Sequence, residues 1–221
     1  NPRRIERFLT LAYEGGIEPV ILLNKSDLCD DAEAVRTAAQ AIAHTAEVRV
    51  VSARTGEGLD AILPSMQDCR TIAFVGPSGV GKSTLVNALC GNEAQATAEV
   101  RDTDEKGRHT TTRRELIRVP LGGGDSGGGG WVLDTPGMRE IALWDAESGL
   151  AEAFDDISTF ALGCRYRDCQ HNGEPGCAVA AAVDRGEMDP ERLASYRKLQ
   201  EELKVLAASY VVRTRLETKR R

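Results

Sequence analysis

The feature that most restricts this chain is the order of four short motifs. Asn24-Lys25-Ser26-Asp27 comes first, then Ser52-Ala53. Gly76-Pro77-Ser78-Gly79-Val80-Gly81-Lys82-Ser83 follows, and Asp134-Thr135-Pro136-Gly137 comes last. The third motif is a phosphate loop, whose glycines let the backbone wrap closely so that successive N–H groups point at phosphate oxygens. The helix opening near Lys82 adds the partial positive charge of its N-terminus. The first two motifs are base-reading loops of a guanine-nucleotide site. Such loops usually run phosphate loop first and base-reading loops last, so the order here specifies a circular permutation.

Each motif residue type answers to a chemical need. Lys82 is expected to reach the β- and γ-phosphates, and Ser83 to offer its hydroxyl to Mg²⁺. Gly76, Ser78, Gly79, Val80 and Gly81 form the cradle, and Thr84 belongs to the same nucleotide-binding set. Asp27 accepts two hydrogen bonds from the guanine N1–H and 2-amino group. Adenine cannot supply that pair, and the carboxylate facing it would be left unsatisfied. Sites built on such bonds discriminate by roughly 10⁴ or more. Lys25 is expected along the base face, with Leu28 beside it, and Asn24 between the two base loops. The Ala53 N–H, next to Ser52, is aimed at the guanine O6. Asp134 is expected to hold Mg²⁺ through water, and the Gly137 N–H to sense the γ-phosphate. Among Thr110, Thr111 and Thr112, Thr112 or Thr111 completes the Mg²⁺ shell. The catalytic set is therefore Lys82, Thr112, Asp134 and Gly137, with Ser83 and Thr112 as Mg²⁺ ligands. Met138 stands where many GTPases carry a water-orienting glutamine, which predicts slow intrinsic hydrolysis.

A second constellation lies further on. Cys164, Cys169, His171 and Cys177 supply three thiolates and one imidazole, a closed tetrahedral set for one structural Zn²⁺. All four positions are spent, so no catalytic water is accommodated. Gly173, Pro175 and Gly176 permit the tight turns that wrapping a metal demands. The competing readings are a redox pair or unrelated free thiols. In a reducing cytosol a clustered set favours metal over disulfide, whereas Cys29, Cys69 and Cys90 are isolated. The net charge of -6 leaves no global nucleic-acid footprint, so any RNA contact must be local. No apolar run approaches a membrane span and no signal-peptide pattern is present, which points to the cytoplasm.

The pattern of periodicities gives an α/β layer architecture. Residues 1–16 read as a helix with Ile5, Phe8, Leu9 and Ala12 as its apolar stripe, stopped by Gly15-Gly16. Residues 19–23 read as a strand covered on both faces. A helix over 31–44, a strand over 48–52 and a helix from Leu59 follow. Residues 71–76 feed the phosphate loop, and the next helix carries Leu85, Val86 and Leu89. Residues 93–108 read as a mobile loop. Strands over 114–121 and 131–134 form a hairpin across the glycine-rich linker 122–130. After Pro190 a long helix presents Leu193, Tyr196, Leu199, Leu203 and Leu206, then a basic tail of Arg213, Arg215, Lys219, Arg220 and Arg221. The domain division is a circularly permuted P-loop GTPase domain over 1–157 and a small, mostly helical zinc-binding domain over 158–221.

These motifs together resemble the bacterial small ribosomal subunit-dependent GTPases, the ribosome biogenesis GTPase A family. The resemblance rests on Asn24-Lys25-Ser26-Asp27, the phosphate loop, His109-Thr110-Thr111-Thr112, Asp134-Thr135-Pro136-Gly137 and the Cys-His set, and covers essentially the whole chain. It implies a GTP hydrolase, cycling between GTP and GDP, that acts late in maturation of the 30S subunit and binds 16S rRNA. It implies hydrolysis stimulated by the subunit, and a monomer is expected. The family also implies an upstream OB-fold and a strand ahead of residues 1–16, lying beside the phosphate-loop strand. Neither is in this sequence, so the sheet is expected to show a gap and the chain to be a shortened or partly observed version of a longer protein. A histidine follows Leu-Trp in many members; here Leu143-Trp144 is followed by Asp145. Two other functions compete. One is a zinc-containing RNA-binding module whose guanine-nucleotide site regulates docking with little turnover. The other is an ATP-using P-loop enzyme.

Overall fold

The structure, a computed structural model, describes residues 1–68, 70–77, 79–90, 115–120, 129–134 and 146–218. The chain opens on helix α1, Pro2–Glu14. Pro at the first helical turn costs nothing there, because its missing N–H would have no intrahelical partner. The helix stops where the Gly15 N–H bonds back to Leu11 O at 3.1 Å. Its buried residues are Glu6, Leu9 and Thr10 rather than the apolar stripe read from the sequence. Of that stripe only Leu9 is fully buried; Glu6 is drawn inward by an arginine from a distant helix, described below.

Strand β1, Val20–Asn24, and strand β2, Glu47–Val51, form a two-stranded sheet, with helix α2, Ala32–Ala43, between them in the chain. A second sheet has the order β3-β5-β4, where β3 is Thr71–Ala73, β4 is Glu115–Pro120 and β5 is Gly129–Asp134. β3 runs parallel to β5, with Thr71 opposite Trp131, and β4 runs antiparallel to β5, with Glu115 opposite Asp134. The expected hairpin is present, and Gly129 and Gly130 of the glycine-rich linker belong to its second strand. Among the described strands β3 is paired only by β5. β1 is half-buried along its whole length, not covered on both faces, and β2 is its only described neighbour.

The helix expected from Leu59 is a 3₁₀ helix, Asp60–Met66. Pro64 inside it removes a donor from any α-helical ladder and explains the tighter form. Helix α3, Lys82–Cys90, follows the phosphate loop and turns Leu85, Val86 and Leu89 inward as expected. Leu85 and Leu89 pack with Val51, Ala53, Leu59 and Ile62, while Val86 joins Met66, Val119 and Val132. The loop-bearing ends of β1, β2 and β3 are thereby anchored to one apolar cluster.

Two compact units result, each assembled from separated segments. One comprises Leu22–Arg36 and Arg49–Ile141. The other comprises Asn1–Ile21, Thr37–Val48 and Ala142–Arg221. The latter contains α1, the C-terminal part of α2, and α4 (Glu147–Ala153), α5 (Asp155–Ala161), α6 (Ala178–Asp184) and α7 (Pro190–Thr218). Asp189 caps α7 by accepting from the Glu191 N–H at 2.8 Å. Leu193, Leu199 and Leu203 are buried, and Tyr196 meets Phe154 edge-on at 5.4 Å between ring centroids.

The polar centre of this unit is Arg192 on α7. Its Nε and Nη2 grip the Asp156 carboxylate at 2.6 and 2.8 Å. Nη1 reaches Glu6 Oε1 and Ile42 O, both at 3.3 Å, and Nη2 also donates to Ala153 O at 3.0 Å. The guanidinium lies 4.6 Å from the Phe154 ring centroid, and Ser195 donates to Glu6. A buried cation with this many acceptors ties α1, α5 and α7 together.

Candidate functional site

Asn24 ends β1 and makes two contacts that gather the loops. Its Nδ2 donates to Val80 O at 2.9 Å, and its Oδ1 accepts the Ala53 N–H at 3.0 Å. One amide therefore links the first motif to both the second and the third. The Ala53 N–H expected to face a base is engaged by Asn24 in this arrangement. Gly81, at φ +95°, must be glycine on two counts. The torsion is unfavourable for other residues, and an added Cβ would collide with Asn24 Nδ2.

Lys25 adopts a left-handed backbone, φ 74°, which turns the chain sharply after the strand. Its Nζ donates to Gly79 O at 2.8 Å. The Asp27 carboxylate lies deep in the loop, its side chain 10% exposed. Its Oδ1 accepts from Ser52 Oγ at 2.5 Å, and its Oδ2 from Arg54 Nη2 at 2.5 Å. The Ser52 hydroxyl bond is foremost in holding the Asp27 pKa below its ordinary value, and the Arg54 guanidinium adds to it against the cost of desolvation. Asp27 is thus an anionic acceptor at neutral pH. Leu28, by contrast, is 72% exposed.

In the phosphate loop Lys82 opens α3 and its Nζ donates to Gly76 O at 2.8 Å and Pro77 O at 2.9 Å. Ser83 and Thr84 occupy the first exposed turn of α3. Asp134 closes β5. Ser78, Thr110, Thr111, Thr112, Thr135, Gly137, Met138 and Asp145 lie outside the described residues, as do Cys69 and the loop read over 93–108.

The other unit holds the cysteine-histidine set. The donor atoms of Cys164, Cys169, His171 and Cys177 all lie within 4.8 Å of one another. Cys164 Sγ and Cys177 Sγ are 4.0 Å apart, and His171 Nδ1 lies 3.6 and 3.5 Å from them. A tetrahedron built on Zn–S bonds of ~2.3 Å has edges of ~3.8 Å, so the donor spacing fits a zinc ion. Burial pushes the His171 pKa down, which favours the neutral imidazole that coordinates. Glu174 braces the loop by accepting from the backbone N–H of Gln170 at 2.8 Å and of Asn172 at 2.6 Å. Cys177 also caps α6, accepting from the Ala180 N–H at 3.3 Å. These residues could hold one Zn²⁺ with no position left for reaction.

Sequence reasoning missed two features. Arg54 follows Ser52-Ala53 directly, so its neighbourhood to Asp27 was available from adjacency. The His44, Asp155 and Asp156 group, with contacts of 3.5 and 3.4 Å, had no local signal, because its members come from elements over a hundred positions apart. Asp156 there is already held by Arg192.

A sequence profile for the RsgA GTPase family matches residues 1–144. The small ribosomal subunit biogenesis GTPase RsgA 2 of Vibrio parahaemolyticus is 45% identical over 91% of this chain and 54% of its own length. The RsgA of Streptomyces avermitilis is 46% identical over 98% of this chain and 57% of its own. The chain spans about half the length of the curated relatives it matches. Among solved structures, YjeQ from Thermotoga maritima superposes with a TM-score of 0.64 at 31% identity, covering 92% of this chain and 66% of that one. YloQ, a circularly permuted GTPase, gives 0.61 at 31% identity, covering 92% and 63%.

Proposed function

The chain belongs to the RsgA GTPase family, and from that premise we propose that it binds GTP and hydrolyses it to GDP and phosphate as a late maturation factor of the 30S ribosomal subunit. The observation that carries this reading is the Asn24 amide, bonded to both Ala53 and Val80. It brings a guanine-reading carboxylate from the front of the chain to a phosphate cradle from its middle.

In this reading Asp27 accepts from the guanine edge, and Lys25 and Leu28 flank the base. The amides of residues 76–84 and Lys82 hold the phosphates. Ser83, Thr112 and Asp134 would hold Mg²⁺, and the Gly137 N–H would sense the γ-phosphate. The bound Mg²⁺ would supply charge neutralisation between phosphates. Lys82, held by two loop carbonyls, would exchange them for phosphate oxygens, which offer a charge-assisted bond. Cys164, Cys169, His171 and Cys177 hold one structural Zn²⁺. Residues 1–157 are assigned to the GTPase domain and 158–221 to the zinc-binding domain.

The proposed partners are the 30S subunit and its 16S rRNA, reached by a monomer in the cytoplasm. No described helix is long and apolar enough to cross a membrane. A local RNA contact is supported by Arg165, Tyr166 and Arg167, which stand exposed between two metal-binding cysteines. The Arg165 guanidinium lies 5.5 Å from the Tyr166 ring centroid, a pairing that suits base stacking with phosphate contact.

The test is GTP turnover by the full chain loaded with zinc, alone and with 30S subunits, with ATP as competitor. Slow turnover that subunits accelerate, and GDP binding that ATP does not displace, are expected. Displacement by ATP equal to that by GTP would remove the guanine assignment. Met138 is compatible with this reading and with a second, a docking module with little turnover, and guanine binding without any stimulation by subunits would select the second.

A further inference from the structure

We propose that Arg54 is a positioning residue for the Asp27 carboxylate, and that it sharpens selection for a base presenting two adjacent N–H donors. The inference rests on the guanine-nucleotide reading above and extends it to a residue outside the recognition motifs.

The argument is one of counting acceptor sites. An ionised carboxylate has two oxygens and about four lone-pair sites. Ser52 Oγ takes one on Oδ1 and Arg54 Nη2 takes one on Oδ2. Each oxygen is therefore held by one donor and keeps capacity for one more. A single donor leaves a carboxylate free to pivot about that bond, since the terminal torsion of aspartate has a broad profile. Two donors on different oxygens fix its plane. Ser52 is fully buried and its oxygen accepts the Thr55 N–H at 3.2 Å, so the first donor is immobile. Arg54 supplies the second from the solvent side, its side chain 70% exposed.

Fixing the plane matters unequally for different bases. Guanine offers N1–H and a 2-amino group and must meet both oxygens at once. Hypoxanthine offers N1–H alone and needs only one oxygen, which can pivot to meet it. Arg54 should therefore strengthen the guanine complex while leaving the hypoxanthine complex nearly unchanged. It would not act by packing, because an exposed side chain contributes little to the core.

The experiment measures GDP and inosine diphosphate affinities by calorimetry for the zinc-loaded wild type, Arg54→Ala and Arg54→Lys. Arg54→Ala should weaken GDP binding about two- to five-fold, as fits an exposed charged pair. Inosine diphosphate affinity should hold steady, so the ratio between the two falls, and Arg54→Lys should recover part of it. The difference should shrink at high salt, where an exposed pair is screened. An equal loss for both nucleotides would mean a general structural role and overturn the proposal. Tighter GDP binding by Arg54→Ala would mean that Arg54 competes with the base, and would overturn it as well. A wild-type protein that binds neither diphosphate at millimolar concentration would remove the nucleotide site itself, a failure distinct from the other two.

Discussion

Asn24 and Asp27 divide the labour of one loop. Asn24 spends both ends of its amide on protein partners, and so builds the site. Asp27 keeps acceptor capacity beyond Ser52 and Arg54, which suits the proposed role of reading a ligand. Replacing Asp27 by Asn changes one oxygen from acceptor to donor, which sets an N–H against one of the two guanine donors. Asp27→Asn is expected to weaken GTP binding by about a hundredfold or more, the scale of lost hydrogen bonds to a charged group. Xanthosine nucleotides, which carry a carbonyl in place of the 2-amino group, should gain. Calorimetry with GTP and xanthosine triphosphate reads both, and unchanged GTP affinity would sink the assignment. At this scale the sequence was informative because the motif residues Asn24, Ser52 and Asp27 are themselves the groups that bond to one another. It set Arg54 next to the second motif but did not give its ion pair with Asp27, which depends on a side-chain direction that no spacing encodes.

Elements were legible where periodicity decides them and obscure where distant side chains do. α3 buried the residues its spacing selects, because Leu85 and Leu89 face one apolar cluster and Val86 a second beside it. α1 did not, because Arg192, more than 180 positions away, offers Glu6 an ion pair that outweighs apolar burial. That pair belongs to the Arg192–Asp156 cluster, where both partners are largely buried, at 9% and 17% side-chain exposure. Burial alone would raise the Asp156 pKa, but the hydrogen bonds and charge of Arg192, with His44, outweigh it and hold the pKa low. A carboxylate with a lowered folded pKa stabilises fully above its unfolded value of about 3.9 and loses that contribution as pH falls through the folded value. Asp156→Asn is expected to destabilise the protein by about 3 kcal/mol at neutral pH, because a buried guanidinium loses its closest countercharge. Urea unfolding across a pH series checks this. The wild type and variant should differ steadily down to about pH 4 and converge below it. A gap that persists in strong acid would show that the pair contributes nothing through its charge.

Across the whole chain, order in sequence and grouping in space part company. The segment before Ile21 groups with residues beyond 142, while the phosphate loop groups with segments on either side of α2. The permuted motif order made the second grouping readable, since motifs read as parts of one nucleotide site are expected to converge. Nothing comparable announced the first, whose cohesion comes from buried polar contacts and short helices α4, α5 and α6. The cysteine-histidine segment shows what else can hold such a unit. Residues 164–177 contain no helix or strand and few apolar side chains, yet two members of the set, His171 and Cys177, are buried. A segment of that kind has little burial to offset the entropy of ordering it, and a metal is the usual substitute. Metal binding to such a set contributes on the order of 10 kcal/mol of folding free energy at neutral pH. Removing it should therefore unfold the loop and release Cys177 from its cap on α6. The expected result is one zinc per chain by elemental analysis, and a clear fall in helical circular dichroism and melting temperature on strong chelation. Returning zinc should restore both, and Cys169→Ser should reproduce the chelated state. A metal-free protein with the same helicity and melting curve would mean that the four side chains pack by themselves.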